Sequence, residues 1–82
     1  MNGTDISNSV LERLSDEWDV LTPEAQKVAR YVLENPQDVG VSTVRELADY
    51  AQVKPNTVVR MARQVGFDGY EDFREPFRQA IR

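Results

Sequence analysis

Cysteine and histidine are both missing from the 82-residue chain. Without cysteine, neither a disulfide nor a thiolate metal site supports the core, which must come from helix packing. Without histidine, the commonest general base and the commonest metal ligand are lost together. Long apolar runs are missing as well, the densest being short pieces such as Tyr31-Val32-Leu33, so a membrane span and the apolar stretch of a secretory signal are excluded. The carboxylates show no convergent pair that spacing alone places in a cleft. No acid–base, nucleophile, cofactor or metal set can be assembled, and an enzyme is not expected. The default reading is a soluble, cytoplasmic chain forming one small domain across residues 1–82.

Positive charge is scarce overall, at a net of −4 and a pI near 4.7, which as an average argues against nucleic acid as a partner. The average hides an asymmetry. Residues 1–40 hold eight acids against three bases, a net of −5, whereas residues 41–82 hold seven bases against six acids, a net of +1. Between Lys54 and Phe67 there is no acid, while Lys54, Arg60 and Arg63 are present. A polyanion responds to the field within a Debye length of about 8 Å more than to total charge.

That basic stretch lies inside a pattern written twice. Val44, Leu47, Ala48 and Ala51 fall at i, i+3, i+4 and i+7, and so do Val58, Met61, Ala62 and Val65; each set is the apolar stripe of a short amphipathic helix. Only a few residues separate the two, with Val53 to plug the corner and Pro55 to fix the start of the second helix. A pair of helices joined by so tight a turn is a helix-turn-helix in its DNA-binding form. The small Ala48 suits the place where two steeply crossing backbones approach.

The rest of the chain reads as further helices, which makes an all-α, five-helix domain. Met1 to Asp5 is polar and expected to fray. Ile6, Val10, Leu14 and Trp18 recur every fourth residue, predicting a first helix from about Ser7 to Asp19 with Trp18 as a core anchor. Thr22-Pro23-Glu24 supplies a cap, a first-turn proline and an acid for the second helix, and Asn35-Pro36 ends it. Gln37 to Val41 reads as a connection with at most one helical turn. Thr43 and Glu46 form a capping box. Gly66 is placed for a left-handed cap with Phe67 folding back as its hydrophobic partner. Tyr70, Phe73, Phe77 and Ile81 open a last helix whose aromatics close the core, and Pro76 predicts a kink or a restart within it.

If the second stripe faces the core, Asn56, Val59, Arg60 and Arg63 occupy the opposite face of the recognition helix. Asn56 suits an adenine edge, Arg60 a guanine, and Val59 a thymine methyl. Lys54 and Thr57 at the helix start, with Arg63 and the more distant Thr43, suit phosphates, and Pro55 joins the DNA-facing set by fixing the turn that presents them. Taken alone, such a face is an ordinary solvated surface; the flanking motif turns the reading towards DNA. The rival is a protein-interaction module using the same helix pair.

The run from Leu21 to Phe77 resembles the N-terminal domain of the RpiR family of bacterial transcription regulators. LTPEAQKVARYVLENP and STVRELADYAQVKPNTVVRMARQVGFDGYEDF carry the likeness, most specifically Glu46-Leu47-Ala48, Thr57-Val58-Val59-Arg60 and Gly66-Phe67 followed by Gly69-Tyr70 and Phe73. The resemblance implies an operator-binding domain, followed after residue 82 by a sugar isomerase-like domain that senses a phosphosugar and supports a homodimer. The helical pattern of Gln79 to Arg82, which runs on without a stop, agrees with that expectation. Two positions depart from the family habit. Lys54 stands where a capping serine is common, and Gln52 where such turns favour glycine, so Gln52 must accept an unfavourable backbone or shift the turn.

Overall fold

Local capping chemistry sets the starts of two of the longer helices. Thr22 Oγ1 accepts the Ala25 N–H at 3.2 Å, with Pro23 in the first turn. At the next long helix the capping box is complete: Thr43 Oγ1 accepts the Glu46 N–H at 3.1 Å, and Glu46 Oε1 accepts the Thr43 N–H at 2.9 Å. The computed structural model describes the backbone of residues 3–80 and the side chains of residues 9–80. In order these form α1 (Gly3–Asp16), a 3-10 turn (Trp18–Val20), α2 (Pro23–Glu34), α3 (Pro36–Val39), α4 (Val44–Ala51), α5 (Pro55–Gln64) and α6 (Tyr70–Ala80). Among the described residues there is no strand, and no helix is long and apolar enough to cross a membrane. The one-turn α3 is the helix that the sequence reading left inside the connection.

Three expectations need correction. Helix α1 begins at Gly3, ahead of the start expected near Ser7; Met1, Asn2, the side chain of Ile6, and Ile81 lie outside the described residues. The first helix also ends earlier than its period suggests. Glu17 N–H still donates to the Arg13 carbonyl at 2.9 Å, but Glu17 then leaves the helix at φ −99, ψ 12, and Leu21 N–H donates to the Trp18 carbonyl at 3.2 Å. This tighter turn sends Leu21 into the core, while Trp18 stays half-buried at its margin with the Arg30 guanidinium 6.0 Å from the ring centroid. Finally, of the kink or restart expected at Pro76, the restart does not occur. Pro76 sits inside a continuous α6 with its ring buried. The missing N–H removes the bond to the Asp72 carbonyl, a cost that burial of the ring offsets in part.

The core is one cluster, in which Leu14, Val28, Val32, Leu47, Val58, Met61 and Phe73 are all fully buried. The aromatics close it as expected: Phe73 packs on Phe77 at 5.4 Å between centroids and meets Phe67 edge to face at 5.6 Å. Helix α1 packs chiefly on α6, while α4 and α5 pack on each other and on α2. Fully buried Ala48 and Ala62 leave room for that close approach.

Helix α6 also holds the chain just before α4. A Cβ at Gly40 would lie 2.9 Å from the Phe77 carbonyl oxygen and 3.1 Å from the Arg78 nitrogen, so only glycine allows this backbone contact. Next to it, the Tyr70 hydroxyl donates to the Ser42 carbonyl at 2.6 Å, and Arg74 Nη1 donates to the same oxygen at 3.2 Å. Burial pushes the Tyr70 hydroxyl up to about 12, although Arg74 pulls the other way, so it remains a donor here across the physiological range.

Candidate nucleic-acid interface

Helices α4 and α5 are joined by Gln52-Val53-Lys54, and the corner closes by two backbone bonds. Val53 N–H donates to the Ala48 carbonyl at 2.9 Å and Gln52 N–H to the Asp49 carbonyl at 3.1 Å, with Gln52 left-handed at φ 61, ψ 47. Gln52 thus accepts the unfavourable backbone, and the turn does not shift. Half-buried Val53 plugs the corner. Lys54 is the N-cap residue of α5 at φ −80, ψ 149 and makes no side-chain cap bond. The first-turn donors therefore lack a protein side-chain acceptor, and the positive end of the helix faces outwards.

Val58, Met61, Ala62 and Val65 are buried, which turns Asn56, Arg60 and Arg63 to solvent. Lys54 and Pro55 are exposed beside them; Thr57 and Val59 are half-buried, so Val59 offers only part of its surface. Among the described residues neither Lys54 nor Arg60 has an ion-pair partner. Arg63 is different, because its Nε donates to the Asp68 carbonyl at 3.1 Å and holds the side chain towards the helix C-terminus. No acid occurs between Asp49 and Asp68, so the exposed face is positive over its whole length. Thr43 is exposed at the start of α4, but its oxygen is engaged in the capping box, which leaves its hydroxyl proton to offer. The structure brings Lys54, Pro55, Asn56, Arg60 and Arg63 onto one helix and leaves Thr43 on the neighbouring one.

Residues far away in sequence fix the other end of α5. Phe67 N–H donates to the Ala62 carbonyl and Gly66 N–H to the Arg63 carbonyl, both at 3.0 Å, around Gly66 at φ 103. Arg13 Nη1 from α1 then donates to the Val65 carbonyl at 2.7 Å, placing a cation at the negative end of the helix. Gln64 Nε2 donates to the Val20 carbonyl at 2.8 Å. Sequence reasoning missed Arg13, Gln64 and Arg74, because side-chain bonds to distant carbonyls leave no periodic trace.

Comparison with known proteins agrees with this geometry. Residues 8–81 match the profile described as the helix-turn-helix domain of the rpiR family. An uncharacterized HTH-type transcriptional regulator of Haemophilus influenzae is 32% identical over 68 residues, which cover 83% of this chain and 24% of that protein. The bifunctional protein glk of Paraburkholderia xenovorans is 34% identical over 68 residues, 83% of this chain and 11% of its own length. The chain therefore spans a quarter or less of these curated relatives. Among solved structures, Vibrio vulnificus NanR complexed with ManNAc-6P superposes with a TM-score of 0.82 at 36% identity, covering 88% of this chain and 28% of that one. The N-terminal domain of the putative transcriptional regulator ybbH from Bacillus subtilis superposes with a TM-score of 0.79 at 26% identity, over 85% of each chain.

Proposed function

The chain belongs to the rpiR family of helix-turn-helix domains, and on that premise we propose that it reads operator DNA, with α5 in the major groove. As a domain of transcription regulators its work is DNA-binding regulation. The observation that carries the finer reading is the exposed face of α5: Asn56, Arg60 and Arg63 stand opposite the buried stripe, on a segment without an acid and beside an N-terminus that no side chain caps. In this reading Asn56 and Arg60 contact base edges, with Val59 adding apolar contact from its exposed part. Lys54, Thr57, Arg63 and Thr43 take phosphates, and Pro55 holds the turn that presents them.

Titrations on matched and scrambled duplexes test the division of labour. Arg60→Ala and Asn56→Ala each weaken specific binding by about 1–3 kcal/mol and relax base preference locally. Arg63→Ala weakens all sequences alike and lowers the salt slope by about 1. Equal losses for Asn56→Ala and Arg63→Ala on both duplexes would sink the assignment. Binding to an acidic protein surface, without salt-dependent binding to duplex DNA, would favour the interaction-module alternative.

The sugar link rests on likeness. NanR was solved with ManNAc-6P, and the regulator that contains this chain senses a phosphosugar through a separate domain and acts as a homodimer. A lone module with few basic contacts then sits near the non-specific range of about 10⁻⁴ to 10⁻⁶ M at physiological salt. Pairing two modules on matched half-sites recovers affinity through effective concentration. Nanomolar binding of one half-site by a chain that sediments as a monomer would overturn this part.

A further inference from the structure

The hydrogen bonds that reach α5 from remote parts of the chain gather at one end. Arg13 Nη1 holds the Val65 carbonyl at 2.7 Å across 52 positions of sequence, and Gln64 Nε2 holds the Val20 carbonyl at 2.8 Å. At the other end, Lys54 makes no side-chain cap bond. Val58, Met61, Ala62 and Val65 fix how deeply the helix sits and, by packing on α2 and α4, its crossing angle to within about 15–20°; a directional bond at one end narrows that range. Ten residues of helix span about 15 Å. A tilt of about 4° at the C-terminal end therefore moves the first turn by about 1 Å, enough to spoil a bidentate base contact.

From this asymmetry we infer that Arg13, on α1, is a positioning residue for the recognition helix. Its guanidinium lies against Gly66, so close that a Cβ there would stand 2.6 Å from Nη1. It touches the left-handed cap and the last free carbonyl together. Helix α1 is in turn packed along α6, the element that grips the Ser42 carbonyl ahead of α4 through Tyr70 and Arg74. Arg13 thereby ties the aim of α5 to the same frame that carries the start of α4. The consequence for base reading rests on the DNA-binding function proposed above; the orientation of α5 does not.

The test uses the 82-residue chain with Arg13→Gln and Arg13→Lys, in two arms. The first is free of DNA: residual dipolar couplings and amide exchange report the direction of α5 and the protection of residues 63–67. Arg13→Gln should reorient α5 and expose those amides, with Arg13→Lys between it and the parent. Unchanged couplings and protection in Arg13→Gln overturn the inference, whatever happens on DNA. The second arm titrates two copies of the chain joined by a flexible linker, so that two half-sites are engaged, on a duplex selected from a random pool by the parent pair and on its scrambled counterpart. The ratio of the two affinities should fall at least tenfold in Arg13→Gln, about 1.4 kcal/mol of lost base discrimination, with an unchanged salt slope. A parallel loss on both duplexes with a shallower slope would make Arg13 a phosphate contact and overturn the inference. An unchanged ratio beside a lowered melting temperature would make it structural only, and overturn it too. If the parent chain shows no salt-dependent duplex binding, the DNA reading falls while the first arm still decides the role of Arg13.

Discussion

At the end of α4, Gln52 stands left-handed at φ 61, ψ 47; at the end of α5, Gly66 stands at φ 103. Both corners close by the same pair of backbone bonds, from the left-handed residue and the one after it to carbonyls of the last turn. Both then fold an apolar side chain back, Val53 in one case and Phe67 in the other. The geometry is shared and the residue is not. A glutamine in the left-handed region costs about 1 kcal/mol or more relative to glycine, yet the corner keeps its shape. The crossing of α4 on α5, with Ala48 and Ala62 fully buried between them, outweighs the local preference. The corner after α5 lies further from the ordinary left-handed well near φ 57, and a side chain has less freedom there.

The strongest way to break the comparison is Gly66→Ala. A Cβ at this φ is strained, and it would lie 2.6 Å from Arg13 Nη1. The guanidinium is the flexible end of a side chain and moves, but it then gives up its bond to the Val65 carbonyl. We expect a loss of about 2 kcal/mol and a fall in Tm of roughly 10 °C for a domain of this size. Chemical denaturation with an unchanged m-value checks it; a loss below about 0.5 kcal/mol would mean that the two corners are equally tolerant.

The same comparison runs in the opposite direction at the first corner. Gln52→Gly removes the side-chain strain but adds freedom to the unfolded chain, so the gain should be about 1 kcal/mol at most. A melt in which Gln52→Gly matches the parent would show that Gln52 carries no net strain. Gln52→Val should lose stability, because a β-branched side chain tolerates a positive φ worst.

The corner after α5 and the starts of α2 and α4 were legible in the sequence for a physical reason, whereas the corner at Gln52 stayed open between an unfavourable backbone and a shifted turn. Thr22-Pro23, the Thr43 and Glu46 box, and Gly66-Phe67 act on their own neighbours within a turn of helix, so spacing alone reveals them. The recognition face followed from the period of Val58, Met61, Ala62 and Val65. Three kinds of information stayed hidden. The end of α1 is set by where Leu21 must enter the core, so Trp18 left the helix that its spacing assigned to it. Pro76 stands inside its helix with its ring buried, and burial is something no local rule weighs. Arg13, Gln64 and Arg74 act on carbonyls 52, 44 and 32 residues away, and such pairings depend on the finished fold.

Lys54 sharpens the comparison with the smallest expected effect on stability, because it separates what the first corner costs from what it does. Its backbone already has the extended conformation of an N-cap, φ −80, ψ 149, but its ammonium cannot accept the amide protons of the first turn. Lys54→Ser supplies an acceptor without moving the chain, and we expect a gain of about 0.5–1 kcal/mol. The substitution also removes a charge from the acid-free segment between Asp49 and Asp68. Affinity for matched and scrambled duplexes should therefore fall together, and the salt slope should drop by about 1. Stability and binding then move in opposite directions. A variant that is more stable and binds DNA with an unchanged salt slope would mean that Lys54 contacts no phosphate. A variant with unchanged stability would mean that solvent already caps α5 as well as serine does.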